Sequence, residues 1–166
     1  MIQELYDRIA ELARIAVIQQ WRAQGHELTG KAAREVEMVV ATFAKGAKID
    51  GYILDYMAEL NEGTPANKIV YSKQQLRDLT RYVKMRGIAG SDRDASRIAW
   101  FIFSRHLKEG RPTKASARFS QTGKRTGFID DALAEVEPKI AAILETAIPA
   151  AIETEIENFV KSRLNR

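Results

Sequence analysis

The sequence contains no cysteine and only two histidines. Without thiols the chain has no disulfide framework, no thiolate nucleophile and none of the cysteine ligands that most structural zinc sites require. His26 and His106 lie far apart and belong to no metal-binding spacing such as His-Glu-x-x-His, so we expect both at the surface or at the edge of the core. We therefore expect no metal, no other cofactor and no redox chemistry.

The sequence also lacks a long apolar run. Its longest uncharged stretch is far shorter than the roughly 20 apolar residues that a membrane-spanning helix needs. The first residues show no basic region followed by an apolar run, which a secretory signal would require. We therefore expect no membrane partner, and synthesis in the cytoplasm.

No residue pattern typical of an enzyme is present. Asp130 and Asp131 are typical of a helix start, where acidic side chains lie near the positive end of the helix dipole. Glu153 and Glu155 are two positions apart, and such side chains point about 200° apart on a helix. The segment 123–127 resembles a phosphate-binding loop but lacks the Gly-x-x-x-x-Gly-Lys-Ser/Thr spacing. We predict that the protein is not an enzyme.

The composition is that of an ordinary globular domain. Hydrophobic residues make up 45% and charged residues 29% of the 166 residues, and one domain typically has about 100–200 residues. We predict a single domain over residues 1–166. Its class is α+β, with a small antiparallel sheet packed against helices and with N-terminal and long C-terminal amphipathic helices.

Charge is unevenly distributed along the chain. Residues 1–67 carry 7 basic and 10 acidic side chains, residues 68–125 carry 15 basic and 4 acidic, and residues 126–166 carry 4 basic and 8 acidic. The net charges are −3, +11 and −4. The basic middle segment is either a set of solvated helix faces and a loop, or a surface that faces nucleic acid or an acidic partner.

The first half of the chain predicts a helix followed by a sheet. Apolar residues at helical spacing indicate a helix over 1–22, which ends near Gly25. The region 34–64 is predicted to form the hairpin and sheet, with strands at 35–43 and 48–54, a turn at Lys45-Gly46 and a possible bulge at Gly51. Within it, residues 57–65 are compatible with either a strand or a short helix.

Residues 72–110 predict a pair of helices. Ser72 has a glutamine three residues later, which is the spacing of a capping box, and Gly87 suits the end of that helix. The second helix begins at Ser91 and ends at Gly110. Because its apolar residues cover more than one stripe, we expect this helix to be well buried, including the side chains of Trp100, Phe101 and Phe103.

The remaining chain predicts a loop and a long helix. Residues 111–127 contain five Lys or Arg and one large apolar side chain, so we expect a long exposed basic loop. Residues 128–166 keep helical spacing almost to the end. Pro149 is expected to kink this helical segment or to split it in two.

The order of these features resembles a known family. An N-terminal helix precedes a set of short motifs, namely Thr29-Gly30, Glu62-Gly63-Thr64 after Tyr56, and Phe128-Ile129 after Thr126-Gly127. Over roughly residues 1–147 this order is similar to that of tail-completion proteins of tailed bacteriophages, which are minor tail or head–tail joining proteins. In that family the second motif is Glu-x-Gly-Thr and follows a sheet strand, whereas here the intervening residue is missing.

The resemblance implies a structural virion protein of the tail or neck, assembled in the bacterial host cytoplasm. It implies a ring of identical subunits in contact with neck, connector and tail-tube proteins, and it allows contact with DNA that passes through a channel. The basic loop would be an arm that orders against a neighbouring subunit, and its candidate assembly residues are Arg111, Lys114, Arg118, Phe119, Lys124 and Arg125.

A second function remains open on the sequence alone. The segment 68–125 contains basic residues that a nucleic-acid-binding module would use to neutralise phosphates, among them Arg77, Arg81, Lys84, Arg86, Arg93 and Arg97. No named nucleic-acid-binding motif accompanies them.

Overall fold

The computed structural model describes residues 2–43 and 46–164. Its class is α+β: a two-stranded antiparallel sheet is combined with helices, including an N-terminal helix and a long C-terminal one. The fold class predicted from the sequence is therefore confirmed. The helices are α1 Ile2–Ala23, α2 Lys31–Arg34, α3 Asp55–Glu62, α4 Lys73–Met85, α5 Asp92–Glu109 and α6 Phe128–Leu164, and the strands are β1 Glu37–Phe43 and β2 Gly46–Tyr52.

The hairpin has a regular register. β1 and β2 pair antiparallel from Glu37 opposite Tyr52 to Phe43 opposite Gly46. Met38 lies opposite Gly51 without an extra residue on either strand, so the predicted bulge at Gly51 is wrong. Of the predicted turn at Lys45-Gly46, Gly46 belongs to β2, and Lys45 lies outside the described residues.

The segment after the hairpin is helical. α3 covers Asp55–Glu62, which settles the choice between strand and short helix for this part of the chain. The prediction of sheet structure as far as residue 64 is therefore wrong beyond Tyr52. Glu62 ends a helix, whereas the resemblance implied that this motif follows a sheet strand.

The starts of α4 and α5 follow from two serines. Ser72 Oγ accepts hydrogen bonds from the backbone N–H groups of Gln74 and Gln75, at 3.2 and 3.5 Å. The reciprocal half of the predicted capping box is not formed, because Gln75 Oε1 is buried without a hydrogen-bond partner. Ser91 Oγ accepts from Asp94 N at 3.1 Å. Both helix starts therefore lie where the sequence predicts them.

α5 is less buried than its sequence predicts. Ala95, Ala99 and Phe103 are buried, but Trp100 and Phe101 keep 52% and 62% of their surface exposed. The prediction that all three aromatic residues lie in the core is wrong for these two. The reason is geometric: residue 101 lies nearly opposite the buried stripe of the helix, and residue 100 lies at its side, where the Trp100 ring contacts that of Tyr71 with centroids 6.2 Å apart.

The end of the chain is more regular than predicted. Lys114–Phe119 forms a 3₁₀ helix inside the segment expected to be an exposed loop. α6 runs unbroken through Pro138 and Pro149, so the segment is not split at Pro149. The predicted kink near Pro149 stays a prediction.

The described residues group into two compact units. Unit 1 comprises Met1–Gln20, Val36–Tyr52 and Ile129–Arg166, and unit 2 comprises Trp21–Glu35 and Ile53–Phe128. The predicted single domain over 1–166 is not tested by this grouping.

Unit 1 packs the sheet and two helix segments around small and branched side chains. Met38 and Val40 of β1 line one shallow pocket together with Ala10 and Arg14 of α1. Ala132 and Val136 in the first turns of α6 are 1% and 2% exposed. The other buried apolar residues of this unit are Ile9, Ala10, Ala13, Ala16, Val17, Ile18 and Val36.

Unit 2 contains the larger side chains of the core. Val83 of α4 packs with Ala95 and Ala99 of α5, and all three are fully buried. Small residues on α5 let the two helices approach closely. The remaining buried apolar residues of this unit are Trp21, Ala32, Ala33, Met57, Ile69, Phe103 and Phe128.

Among the described residues, no helix is both long enough and apolar enough to cross a membrane.

The cap at Ser91 gives a testable prediction for the fold. Ser91→Ala should lower the free energy of unfolding by about 1 kcal/mol, because the first turn of α5 loses an N–H acceptor. Ser96→Ala is the matched control on the same helix: Ser96 Oγ bonds only the carbonyl oxygen of Asp92 among the described contacts, at 3.0 Å, and alanine favours a helix interior. Urea unfolding of both variants measures the difference. Equal stability of the two variants would show that Ser91 does not cap α5.

Candidate functional site

The segment 111–127 is attached to the turn that follows α1. The carbonyl oxygen of Ala23 accepts a hydrogen bond from Gln121 N at 2.8 Å and one from Ser120 Oγ at 3.4 Å. Arg86 Nη2, directly after α4, and Arg125 Nη2 donate to the carbonyl oxygen of Gly25, at 3.1 and 3.5 Å. The last carbonyls of α1 and its turn are thus satisfied by distant parts of unit 2.

Gly25 is required at this turn for two reasons. Its φ of +75° lies in the left-handed region, which residues with a side chain rarely adopt. A Cβ at this position would also overlap the carbonyl oxygen of Phe119. The backbone of the 3₁₀ helix therefore rests directly on the glycine.

A second attachment joins the beginning of the segment to the end of α3. Thr64 N donates to the carbonyl oxygen of Arg111 at 2.6 Å, and Arg111 N donates to that of Thr64 at 2.7 Å. The two residues thus form an isolated antiparallel bridge. A Cβ at Gly63, whose φ is +75°, would lie 2.9 Å from the Arg111 carbonyl oxygen and 3.3 Å from Thr126 Cγ2.

A third attachment fixes the end of the segment. Gln24 is fully buried and donates from Nε2 to the carbonyl oxygen of Thr126 at 3.1 Å. Gly127 N donates to the carbonyl oxygen of Asn61 in α3 at 2.8 Å. The segment is therefore held within one chain at its start, middle and end, and we name it the strap (residues 111–127).

Aromatic rings pack where the strap ends. Trp21 stacks on His26 with ring centroids 4.6 Å apart and meets Phe128 edge-on at 5.3 Å. Tyr56 of α3 adds an edge contact to Trp21 at 6.1 Å. Trp21 and Phe128 are 2% and 0% exposed, so this cluster is the apolar centre around which the strap is attached.

His26 lies beside Arg125, whose positive charge disfavours protonation of the imidazole. Arg125 Nη2 lies 3.4 Å from His26 Nδ1. Because a guanidinium can only donate, this contact requires a neutral imidazole whose Nδ1 accepts. Burial, together with the nearby positive charges of Arg125 and Arg86, lowers the pKa of His26 to about 4. His26 is therefore uncharged at neutral pH.

The structure brings some of the predicted site residues together and leaves others apart. Gly63, Thr64, Arg111 and Phe128 belong to the strap attachments just described, and so do Phe119 and Arg125.

Other predicted site residues lie outside these attachments. Thr29 and Gly30 form the local turn before α2, where Thr29 Oγ1 accepts from Lys31 N at 3.4 Å. Lys114, Arg118 and Lys124 are exposed, and the Arg118 guanidinium lies 4.8 Å from the ring centre of Phe119. Glu62 ends α3 without a described contact to the strap.

The prediction for residues 111–127 needs correction. Of the segment expected to be exposed, Arg111, Arg125 and residues 126–127 are half-buried, whereas Lys114, Arg118, Phe119 and Lys124 are exposed. The role of these residues in assembly, and the ordering of the segment against a neighbouring subunit, stay predictions.

Two features of the site are missing from the sequence-based prediction. Gln24 and Asn61 hold the strap, yet no local pattern marks them, because their partners are backbone groups far away in sequence. The cluster of Trp21, His26 and Tyr56 was also missed, although a buried tryptophan next to a helix end was a usable signal.

A second surface of unit 2 lies on α5. An open groove of about 1090 Å³ runs along this helix and the turn before it. We name it the α5 groove, and its apolar surface comes from Ile88, Ala89, Ile98, Trp100 and Phe101, its polar surface from Gly90, Arg93, Asp94, Ser96, Arg97 and Ser104. Trp100 and Phe101 are its largest exposed side chains.

Comparison with models of known protein families found no match, and comparisons with curated proteins and with solved structures found none either. Among the described residues, no group of three or more His, Asp or Glu side chains is placed so that it could hold a metal ion.

Two glycines with the same backbone conformation test the strap attachment. Gly25→Ala and Gly123→Ala both place a side chain at positive φ, +75° and +72°, but only Gly25 has a close neighbour, the carbonyl of Phe119. Gly25→Ala should therefore cost about 1–3 kcal/mol more in unfolding free energy than Gly123→Ala, since the strap must move. It should also expose the bonds after Arg118 and Lys124 to trypsin. Equal stability and equal cleavage of both variants would contradict this attachment.

Protonation of His26 should destabilise the folded protein in acid. The unfolded chain binds a proton near the ordinary histidine pKa of 6.5, whereas folded His26 binds one only near 4. Stability is therefore full above about pH 6.5 and falls between about 6.5 and 4. His106 contributes in the same direction, because burial and the charge of Arg111 lower its pKa to about 4 as well.

Urea unfolding at pH 7 and pH 4.5 separates the two histidines. His26→Gln and His106→Gln should each show a smaller loss of stability between these pH values than the unsubstituted protein, on the order of 1–2 kcal/mol smaller. An undiminished loss in His26→Gln would contradict the buried, neutral state of His26.

Proposed function

We propose that the protein is a structural virion protein of a tailed phage or prophage, a ring subunit that joins neck and tail or terminates the tail tube. It assembles in the bacterial host cytoplasm and works through its contacts, without catalysing a reaction. Its partners are further copies of itself and the neighbouring neck, connector and tail-tube proteins, and DNA that passes through the ring is a further candidate partner.

One observation carries this proposal: two of the family-like motifs, distant in sequence, meet in space. The Gly63-Thr64 motif contacts Arg111 and Thr126, and Phe128 completes the aromatic cluster beside them. The resemblance to tail-completion proteins rests on the sequence motifs alone and does not imply that they lie close together. Motifs that a family retains for one structural purpose are expected to meet in this way, which supports the resemblance.

The charge distribution supports assembly from repeated copies. The segment 68–125 carries a net charge of +11 and residues 126–166 carry −4. Opposite charges on two regions of one chain suit a head-to-tail arrangement, in which the basic region of one copy meets the acidic region of the next.

Electron microscopy tests the proposal directly. The purified chain, alone and co-expressed with the proteins encoded beside it, is expected to give closed rings in at least one preparation. A monomer in the preparation of the chain alone is compatible with the proposal, since such subunits can remain monomeric until they meet their neighbouring proteins. If both preparations lack rings, the proposed function is wrong.

Nucleic-acid binding is the second candidate, and the α5 groove favours it. Exposed aromatic rings next to arginines can stack bases and neutralise phosphates, and Trp100 and Phe101 lie beside Arg93 and Arg97. A fluorescence anisotropy titration with a short single strand and a short duplex, repeated at rising salt, tests this. Tight binding that weakens steeply with salt favours this candidate over the ring subunit.

A further inference from the structure

The second half of α6 carries large apolar side chains that no described residue covers. Beyond Val136, none of its described side chains is buried. Ile148, Ile152, Ile156 and Val160 keep 48%, 54%, 58% and 47% of their surface exposed. Their spacing of four places them along one side of the helix, and we name these four residues the tail stripe.

A helix segment of this kind requires a partner. Isolated helices are marginally stable in water, and most helical stability in proteins comes from packing of an apolar face. Exposed rows of large apolar side chains usually mark interaction sites. The tail stripe is therefore a docking face.

The charge around the tail stripe limits what can cover it. Between residues 145 and 158 the chain has four acidic and no basic side chains, and Glu145, Glu153, Glu155 and Glu157 are all exposed. Two tail stripes packed against each other would place these like charges side by side, which is unfavourable. The partner surface should combine apolar and basic groups.

The α5 groove has that combination. Trp100 and Phe101 supply exposed apolar surface, and Arg93 and Arg97 line the same groove. On α5 each acidic residue pairs with one basic residue, Asp92 with Lys84, Asp94 with Arg97 and Glu109 with Arg105. The surplus of positive charge comes from the whole segment 68–125, which carries 15 basic and 4 acidic side chains.

We propose that the tail stripe of one copy packs into the α5 groove of a second copy, with the tail glutamates facing Arg93 and Arg97. The contact joins two different surfaces of the same chain. Repeated from copy to copy, it generates a ring if the rotation closes and a filament if it does not. This inference rests on the proposed function, for which it supplies the subunit contact.

The absence of native cysteine allows a direct test by cross-linking. Ser96→Cys places one thiol in the groove and Ile152→Cys places one on the tail stripe. The two single variants of the full chain, one carrying a size tag, are mixed under mild oxidation, so any mixed disulfide joins two copies. Gln3→Cys, at the exposed start of α1, replaces Ser96→Cys in the control mixture.

A mixed 96–152 disulfide without a 3–152 product is the expected result, in the chain alone or with its neighbouring proteins. A 152–152 disulfide as the main product would show that tails pair with each other and would overturn the inference. So would the absence of a mixed product in both preparations.

Charge reversal provides a second readout. Arg93→Glu with Arg97→Glu, or Glu153→Lys with Glu157→Lys, should each weaken association about tenfold or more in sedimentation experiments. Combining the two pairs in one chain should restore most of it, because the charges are again opposite. Lys73→Glu with Arg81→Glu is the control, since both residues are exposed on α4 and neither lines the groove. Equal effects of control and groove pairs would contradict a specific contact.

These outcomes separate the contact from the proposed function. Rings that form without the 96–152 disulfide would refute the contact and leave the ring subunit standing. The disulfide in open filaments, without rings in any preparation, would support the contact and refute the ring. If the groove pair reduces binding of a 20-nucleotide single strand but leaves association unchanged, the groove binds nucleic acid and the inference is wrong.

Discussion

The turn after α1 is the constraint on which unit 2 depends. Gly25 adopts a left-handed conformation, and the Phe119 backbone lies directly against it. The carbonyl groups of Ala23 and Gly25 accept hydrogen bonds from the strap and from Arg86. Because Gly25 has no side chain, the strap, nearly a hundred residues later in the sequence, can approach the end of α1. It donates hydrogen bonds to carbonyl groups that the end of a helix leaves unsatisfied.

Much of the fold follows from local sequence. Ser72 and Ser91 start helices, Gly87 and Gly110 have the positive φ expected after helix ends, and the two hairpin strands overlap the predicted ones. These features depend on the chemistry of a few adjacent residues, which is why sequence patterns identify them.

The remaining features depend on contacts between distant residues. The strap contains the small and basic residues of a flexible loop, yet hydrogen bonds to Ala23, Thr64 and Asn61 order it. Trp100 and Phe101 are residue types typical of a core, but they are exposed, because burial depends on which other elements pack against α5. The pKa of His26 is lowered by burial and by the charge of Arg125, which is 99 positions away in the sequence. Contacts between residues distant in sequence determine all three properties. The local sequence pattern carries no information about such contacts.

The two surfaces left over after folding are complementary in kind. Unit 1 ends in an acidic helix with an exposed apolar side, and unit 2 presents a groove with aromatic and arginine side chains. Among the described residues, both surfaces stay exposed in the folded chain. A subunit whose function lies in contacts between copies is expected to keep such surfaces available.

Native mass spectrometry of the protein with its co-expressed neighbours is the most direct measurement of whether the chain acts as a ring subunit. We expect one discrete stoichiometry, with several copies of this chain in a complex that dissociates at high salt. A single copy per complex at every salt concentration, or a broad series of masses without a preferred number, would contradict a closed ring built from this subunit.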